Sequence, residues 1–309
     1  MKINHILFFM ISLLVVNCSD NPESDSPNSN GSSSIDDTND NPDDPVDASV
    51  YADVDFSNWK VTLPVDEDSN GKPDEYQPNQ LDNYGYQTLA PVQPFMYDDT
   101  SDQSLVFYCF QGGATTTNSS YPRTELRELI NPNNSKENWT LLEGGEMIGS
   151  LKVDSVSTND TSSDDYHKVI VMQIHGIISE EDMETYDLSG NNGPPLIKIY
   201  WKDGYVWSHK KSLANESTSG FDLYDVYNGT WTDVKVNLGY VGYDTFEFRI
   251  TASDARIEVQ LNDNDPYIYQ DISLEKWPFE NYFKAGNYLT STDENAFSYV
   301  KYFNLNIAH

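Results

Sequence analysis

The sequence predicts an all-β fold, a jelly-roll sandwich of two antiparallel sheets in which one sheet curves into a concave substrate cleft. Three observations predict it. Short runs rich in β-branched and aromatic residues recur between clusters of Gly, Asn, Asp and Pro, at the spacing of a sandwich or barrel. Long amphipathic helical patterns, fixed-period repeats and a βαβ rhythm are absent, which argues against bundles, solenoids and parallel sheets. Several runs also carry polar groups at every second position, and a strand turns alternate side chains to opposite faces.

The ends of the chain come first. Residues 1–18 read as a signal peptide, with Lys2 as charged head and an apolar core from Ile6 to Val16 that is too short to span a bilayer as a mature helix. The stretch Leu14-Val-Val-Asn-Cys18 resembles a bacterial lipoprotein signal, although Asn17 stands where a small residue is usual. That resemblance implies export, with Cys18 lipidated and outer-membrane or cell-surface lipid as a partner; plain secretion is the alternative. Residues 19–50 are almost entirely Asp, Asn, Pro, Ser, Glu and Thr, and read as a disordered acidic linker. Residues 51–309 read as the folded catalytic domain, a monomer. With Cys18 assigned to the anchor, Cys109 stands alone in Leu105-Val-Phe-Tyr-Cys-Phe110, so the fold must hold by core burial rather than disulfides.

Within the domain, the expected strands include Trp59–Leu63, Ser104–Phe110, Glu146–Val153, Lys168–His175, Leu196–Trp201 and Tyr205–His209. Further on come Trp231–Tyr240, Thr245–Thr251, Arg256–Leu261 and Tyr299–Ile307. Gly176–Pro195 reads as a long irregular loop, and Asp66–Asn83 as an insertion; both are placed to wall one end of a cleft and favour exolytic cutting.

Charge sharpens the picture. The chain holds 18 Lys and Arg against 50 Asp and Glu, a formal charge of -32. Such a molecule repels polyanions at long range, and nucleic acid is excluded as a general partner. Its few cations nevertheless gather in strands that also carry aromatic groups. Tyr121-Pro-Arg-Thr-Glu-Leu-Arg-Glu-Leu129 puts Arg123, Glu125 and Arg127 on one face. Val171-Met-Gln-Ile-His-Gly176 puts Gln173 and His175 together, with Ile170, Met172 and Ile174 opposite. Tyr282-Phe-Lys-Ala-Gly-Asn-Tyr-Leu289 aligns Tyr282, Lys284 and Tyr288, and Leu196-Ile-Lys-Ile-Tyr-Trp-Lys202 aligns Lys198, Tyr200 and Lys202.

That collection fits a cleft for an acidic sugar. A proton beside a carboxylate is very weakly acidic, and removing it requires hydrogen-bond donors or cations on that carboxylate. Arg123 can bind it bidentately and the Gln173 amide can donate to the same oxygens. A base and an acid are then needed for β-elimination, and His175 and Tyr288 are the candidates. If Arg and Gln neutralise the carboxylate, no metal or other cofactor is required.

Arg123-Thr-Glu-Leu-Arg127, Gln173-Ile-His175 and Tyr282-Phe-Lys-Ala-Gly-Asn-Tyr288 together closely resemble the three signature motifs of the alginate lyases of polysaccharide lyase family 7. The resemblance covers the chain from about residue 51. It implies a β-jelly roll, alginate as substrate, and 4,5-unsaturated uronate ends as product. It implies Arg123 and Gln173 on the carboxylate, His175 as base at least for guluronate, and Tyr288 as acid, or as both acid and base for mannuronate. Glu125, Arg127, Lys198, Tyr200, Lys202, Tyr282 and Lys284 would bind substrate. Isoleucine within Gln-Ile-His is associated in that family with guluronate-containing blocks. Asn287 departs from the family's branched apolar residue and is expected to alter packing rather than chemistry.

Other readings compete. Glu180-Glu-Asp-Met-Glu184 matches the Glu-x-Asp-x-Glu spacing of the family 16 glycoside hydrolases, but sits without alternating apolar neighbours. Asp66-x-Asp-x-Asn-Gly71 starts like a calcium loop, yet its twelfth position is Gln77 and no helices are expected around it, so a surface turn is the simpler reading than a structural Ca. A non-catalytic alginate-binding module would use the same cleft without needing Gln173, His175 and Tyr288 together. His167 and His209 lack such company and read as structural or subsite residues.

Overall fold

The structure is a computed structural model and describes residues 48–117, 119–160 and 162–309. Residues 1–47, which include the stretch expected to be a signal peptide, Cys18 and nearly all of the expected linker, lie outside the described residues. Strands are numbered along the chain: β1 (Asp53–Val54), β2 (Trp59–Thr62), β3 (Glu75–Tyr76), β4 (Met96–Asp99), β5 (Ser104–Phe110), β6 (Arg123–Glu128), β7 (Gly145–Val156) and β8 (Lys168–Ile177). They continue as β9 (Asn192–Lys202), β10 (Tyr205–Leu213), β11 (Trp231–Tyr240), β12 (Phe246–Ser253), β13 (Arg256–Leu261), β14 (Tyr267–Tyr269), β15 (Glu280–Thr290) and β16 (Phe297–Ala308). Short helices α1 (Pro78–Leu81), α2 (Glu180–Tyr186) and α3 (Ile272–Glu275) sit in the connections. Among the described residues no helix is long and apolar enough to cross a membrane.

Two eight-stranded sheets form the sandwich. The outer sheet runs β14-β13-β12-β7-β16-β5-β4, with β1 added to β16 as a parallel pair, so the antiparallel expectation holds apart from this two-residue contact. The site sheet runs β11-β10-β9-β8-β15-β6-β2-β3. Strand alternation decides which side chains enter the space between them. Phe107 and Cys109 from β5, Leu126 from β6, Met172 and Ile174 from β8, Phe283, Ala285 and Leu289 from β15 are all fully buried there. Removing such side chains from water is the main favourable contribution to a fold that holds no disulfide among the described residues. Cys109 is a core residue, and burial pushes its thiol up to about 12, leaving it inert. A smaller cluster of Ile178, Leu213, Leu223, Trp231 and Phe279 seats Met183 of α2.

Polar fasteners cross the core beside the site. Asn287 faces inward and its Nδ2 donates to Phe107 O at 2.9 Å and Ser298 O at 2.8 Å, while Ser298 Oγ donates to Asn287 Oδ1 at 2.7 Å. The Tyr302 hydroxyl donates to Val171 O at 2.5 Å and accepts the Gly286 N–H at 3.1 Å. Thr124 Oγ1 donates to Tyr108 O at 2.5 Å. Each bond joins a site-sheet strand to the outer sheet, so the Asn at 287 is a cross-sheet clamp and not a packing substitute for an apolar side chain. Gly286 permits the crowding: its φ is +134°, and a Cβ there would lie 2.7 Å from Thr124 O.

Register shifts re-aim individual residues. Between β8 and β9 the pairing steps from Ile170↔Tyr200 to Met172↔Ile199, leaving Val171 as an extra residue. Val171 and Met172 both enter the core, and Ile170 turns to the opposite face, contrary to simple alternation. Between β8 and β15 the pairing steps from Ala285↔Met172 to Tyr288↔Ile170, so the extra residue lies on β15 at Gly286-Asn287.

Truncating the clamp is the test of its role: Asn287→Ala removes three hydrogen bonds and should lower the unfolding free energy by about 3 kcal/mol at roughly 1 kcal/mol each. Denaturant melts measure this directly, and an unchanged midpoint would show that the clamp contributes nothing.

Candidate active site

The outward face of the site sheet bears a cavity of about 790 Å³, lined from β6, β8, β9, β15 and flanking loops. Register explains its order. One transverse row runs Lys198, Gln173, Lys284, Arg127 and Lys60, one residue from each of five neighbouring strands. A second row runs Tyr200, Ile170, Tyr288 and Arg123. Tyr282 and His175 form a facing pair. Arg123, Arg127, Gln173, His175, Lys198, Tyr200, Tyr282, Lys284 and Tyr288 all line the cavity, so the structure brings together nine of the residues singled out in the sequence.

Two of the expected binding residues are placed elsewhere. Glu125 does not line the cavity; it is 1% exposed and lies beneath the floor. Its carboxylate accepts from Gln173 Nε2 at 2.5 Å and Arg123 Nη1 at 3.3 Å, and pairs with Lys284 Nζ. A buried anion among cations is an organiser rather than a substrate contact, because a free carboxylate in the cleft would repel an acidic sugar. Lys202 also stays outside the cavity wall and pairs with Asp164 at 2.8 Å, since β9 carries it past the end of the cleft.

The reactive groups are held in defined states. His175 Nδ1 lies 2.9 Å from Gly176 O, an acceptor only, so Nδ1 carries the proton and Nε2 keeps its lone pair. Burial, with Lys284, Arg123 and Arg127 nearby, pushes its pKa down to about 3, so the ring is neutral at ordinary pH. It stacks on Tyr282, with ring centroids 5.3 Å apart, and Arg127 Cζ sits 4.1 Å from that ring's centre. Arg123 Cζ sits 3.9 Å from the centre of the Tyr288 ring. Burial raises the Tyr288 phenol above its ordinary value, which keeps it protonated. Arg123 Nε is buried with no hydrogen-bond partner, and a donor left so is costly unless an anion supplies the acceptor. Burial lowers Lys284 to about 8 despite the Glu125 charge.

Further along the cleft, Asp233 pairs with Lys211 at 2.9 Å and with Lys198 at 3.7 Å. His209 packs on Tyr200, centroids 4.3 Å apart, and burial with Lys198 and Lys235 nearby pushes its pKa down to about 4. Lys211 and Asp233 were not singled out in the sequence. The alternation Trp207, His209, Lys211 along β10 was the available signal, masked by the adjacent Lys210, which points inward onto Asp271 at 2.6 Å. Lys60 on β2 and Ser119 and Tyr121 before β6 were likewise missed, because no local pattern links them to strands far away in sequence.

The competing constellations fare differently. Glu180, Asp182 and Glu184 lie on helix α2, capped by Ser179 whose Oγ accepts from Asp182 N at 3.0 Å, so they cannot form the paired carboxylates of a strand face. The N-cap serine with three acids in the first turn was a helix signal within the stretch expected to be irregular. In addition, β9 starts at Asn192 and takes Pro194 and Pro195 from that stretch. Asp66, Asp68 and Asp74 each bring one carboxylate oxygen within 4.8 Å of the others. Asp66 already accepts from the Asn70 and Gly71 N–H groups at 2.9 Å, which makes a self-closed turn.

A jelly-roll sandwich whose polar sheet face gathers arginine, amide, neutral imidazole and neutral phenol, the groups that elimination on an acidic sugar needs, defines a polysaccharide lyase. Comparison with known proteins places it further. A family model described as alginate lyase matches residues 54–309, and the chain belongs to the alginate lyase family, polysaccharide lyase family 7. An alginate lyase of Klebsiella pneumoniae is 25% identical over 271 residues, covering 75% of this chain and 81% of that protein. The crystal structure of alginate lyase A1-II', a member of the same family, superposes with a TM-score of 0.61 at 28% identity, covering 85% of this chain and 97% of that one. A substituted form of that enzyme in complex with product (GGG) gives 0.63 at 27%, covering 85% and 98%.

The pH profile on alginate follows from these protonation states. His175, neutral above about 3, imposes no acid limb near neutrality, whereas loss of the Lys284 proton should lower kcat/KM above about pH 8. Lys284→Arg keeps the charge and should move that alkaline limb upward; an unmoved limb would mean Lys284 does not set it.

Proposed function

We propose that this lyase cleaves guluronate-containing stretches of alginate by β-elimination and releases short products from a chain end. Arg123 and the free Gln173 N–H hold the uronate carboxylate, lowering the cost of the enolate-like transition state. His175 Nε2 takes the C5 proton. The electron pair forms the C4–C5 double bond, the C4–O bond breaks, and Tyr288 donates its proton to the departing oxygen. No step requires a metal ion, since the guanidinium and amide neutralise the carboxylate. Arg127, Lys198, Tyr200, Tyr282 and Lys284 bind neighbouring sugars.

The observation that carries this reading is the fixed tautomer of His175, a neutral base beside three cations, with a protonated phenol immediately after the bulge of β15. The guluronate preference draws on Ile174 within the Gln-Ile-His motif, a core residue that acts through the sheet beneath His175. The substrate and product complexes of A1-II' contain GGMG and GGG. The chain-end reading draws on charge. A cavity of about 590 Å³ continues the cleft past Thr62, Thr116 and Thr117; its lining holds four acids, Glu67, Asp68, Asp74 and the Lys60-paired Glu75, against the single cation Lys72. A polyuronate extending there meets carboxylates, so binding stops at that end. At another edge Lys136 pairs with Glu180 of α2, tying two loops beside the cleft.

One digestion tests the elimination and the chain-end release. Alginate incubated with the purified protein should gain the ultraviolet absorbance of an unsaturated uronate, with short products from the first time point. Tyr288→Phe should cut turnover at least about a hundredfold, in the range of general acid catalysis, with binding retained. Binding without absorbance would refute the elimination, and an early ladder of long fragments would refute chain-end release.

A further inference from the structure

Ser119 lies in the β5–β6 connection, close in sequence to Thr116 and Thr117 of the cleft rim. Its Oγ is 2.6 Å from the Tyr288 hydroxyl, 3.0 Å from Tyr121 O and 3.1 Å from Tyr121 N. These three contacts fix the direction of each hydrogen bond. The Tyr121 carbonyl can only accept, so Ser119 spends its single hydrogen there. The Tyr121 N–H can only donate, so it points to Oγ. The phenol must therefore donate to Oγ, the arrangement expected of a protonated Tyr288. The backbone of Tyr121 thus holds the serine oxygen from two sides, and the Tyr121 ring sits 6.3 Å from that of Tyr288.

The same hydroxyl serves the other protonation state. Once Tyr288 gives up its proton, its oxygen becomes an acceptor only. Rotation about the Ser119 Cβ–Oγ bond then moves one hydrogen from the Tyr121 carbonyl to the phenolate, with no heavy atom displaced. The carbonyl loses a neutral hydrogen bond and the phenolate gains a charge-assisted one, so the exchange favours the ionised tyrosine. Arg123 over the ring acts in the same direction, and the hydrogen bond from Ser119 lowers the phenol against the upward pull of burial.

We infer that Ser119 is a positioning residue of the elimination, a rotating hydroxyl that holds the Tyr288 oxygen in place until the phenol proton swings from Oγ to the departing oxygen, and that stabilises the phenolate after it. The inference rests on Tyr288 as the acid in the scheme above. Protons balance: the C5 proton goes to His175 Nε2, the Tyr288 proton to the departing oxygen, and solvent then returns a proton to the phenolate and removes one from His175. Ser119 ends the cycle with the hydrogen it began with.

Steady-state kinetics on alginate for wild type, Ser119→Ala, Ser119→Thr and Tyr288→Phe test it. Ser119→Ala should lose roughly ten- to hundredfold in kcat, the value of one hydrogen bond to a charged group, with KM within about twofold. Ser119→Thr keeps the hydroxyl and should restore most of kcat, which a merely structural contact would not require. Wild-type kcat in Ser119→Ala, a loss confined to KM, or equal losses in the Ala and Thr variants would each overturn the inference. If Tyr288→Phe turns over normally, the assignment of the acid fails and Ser119 with it; if Tyr288→Phe is inactive and Ser119→Ala is normal, only the serine inference fails.

Discussion

The buried carboxylate of Glu125 is the constraint around which the cleft is built. Three donors from three strands converge on it: Arg123 from its own strand, Gln173 from β8 and Lys284 from β15. An acidic sugar needs such donors gathered together, but gathered cations repel one another and lose hydration when buried. One anion beneath the floor offsets both costs without standing in the path of the substrate. Gly286 faces Glu125 across the β6–β15 ladder, and a Cβ there would lie 3.0 Å from Glu125 Cα, so the two strands can approach this closely only with glycine. Removing one member of such a network is costly because the others are left charged and unpaired.

The surrounding fold keeps that arrangement rigid. Asn287, Tyr302 and Thr124 hydrogen-bond across the sandwich directly below Tyr288, Gly286 and Arg123. Catalytic side chains placed on strands clamped in this way lose little freedom on binding substrate. The acidic exterior complements them. A formal charge of -32 keeps polyanions away from most of the surface, while the cations of the row across five strands, with Arg123 beside them, attract a polyuronate locally.

Much of this was legible in the sequence because strand alternation is a strict rule. The bounds of β5, β11 and β13 follow from β-branched and aromatic runs ending at turn residues. Alternation also grouped Arg123 with Arg127, Gln173 with His175, and Tyr282 with Lys284. It failed where an extra residue enters a strand: Val171 turns Ile170 toward the cleft, and neither sequence nor periodicity marks that bulge. Facing direction, moreover, does not give depth. Glu125 shares a face with two arginines yet lies under them, and Lys202 shares a face with Lys198 yet lies beyond the cleft. Contacts such as Ser119 to Tyr288 join residues 169 positions apart and leave no local trace.

The central claim is that Glu125 organises the cleft by its charge, and Glu125→Gln tests it most directly, since the shape is kept and the charge removed. Lys284 then loses its compensating anion, so the account predicts a fall in kcat/KM on alginate on the order of a hundredfold or more, with an alkaline limb displaced below its wild-type position and the β-sheet circular dichroism spectrum intact. A folded Glu125→Gln protein with wild-type kcat/KM and an unchanged pH profile would contradict it.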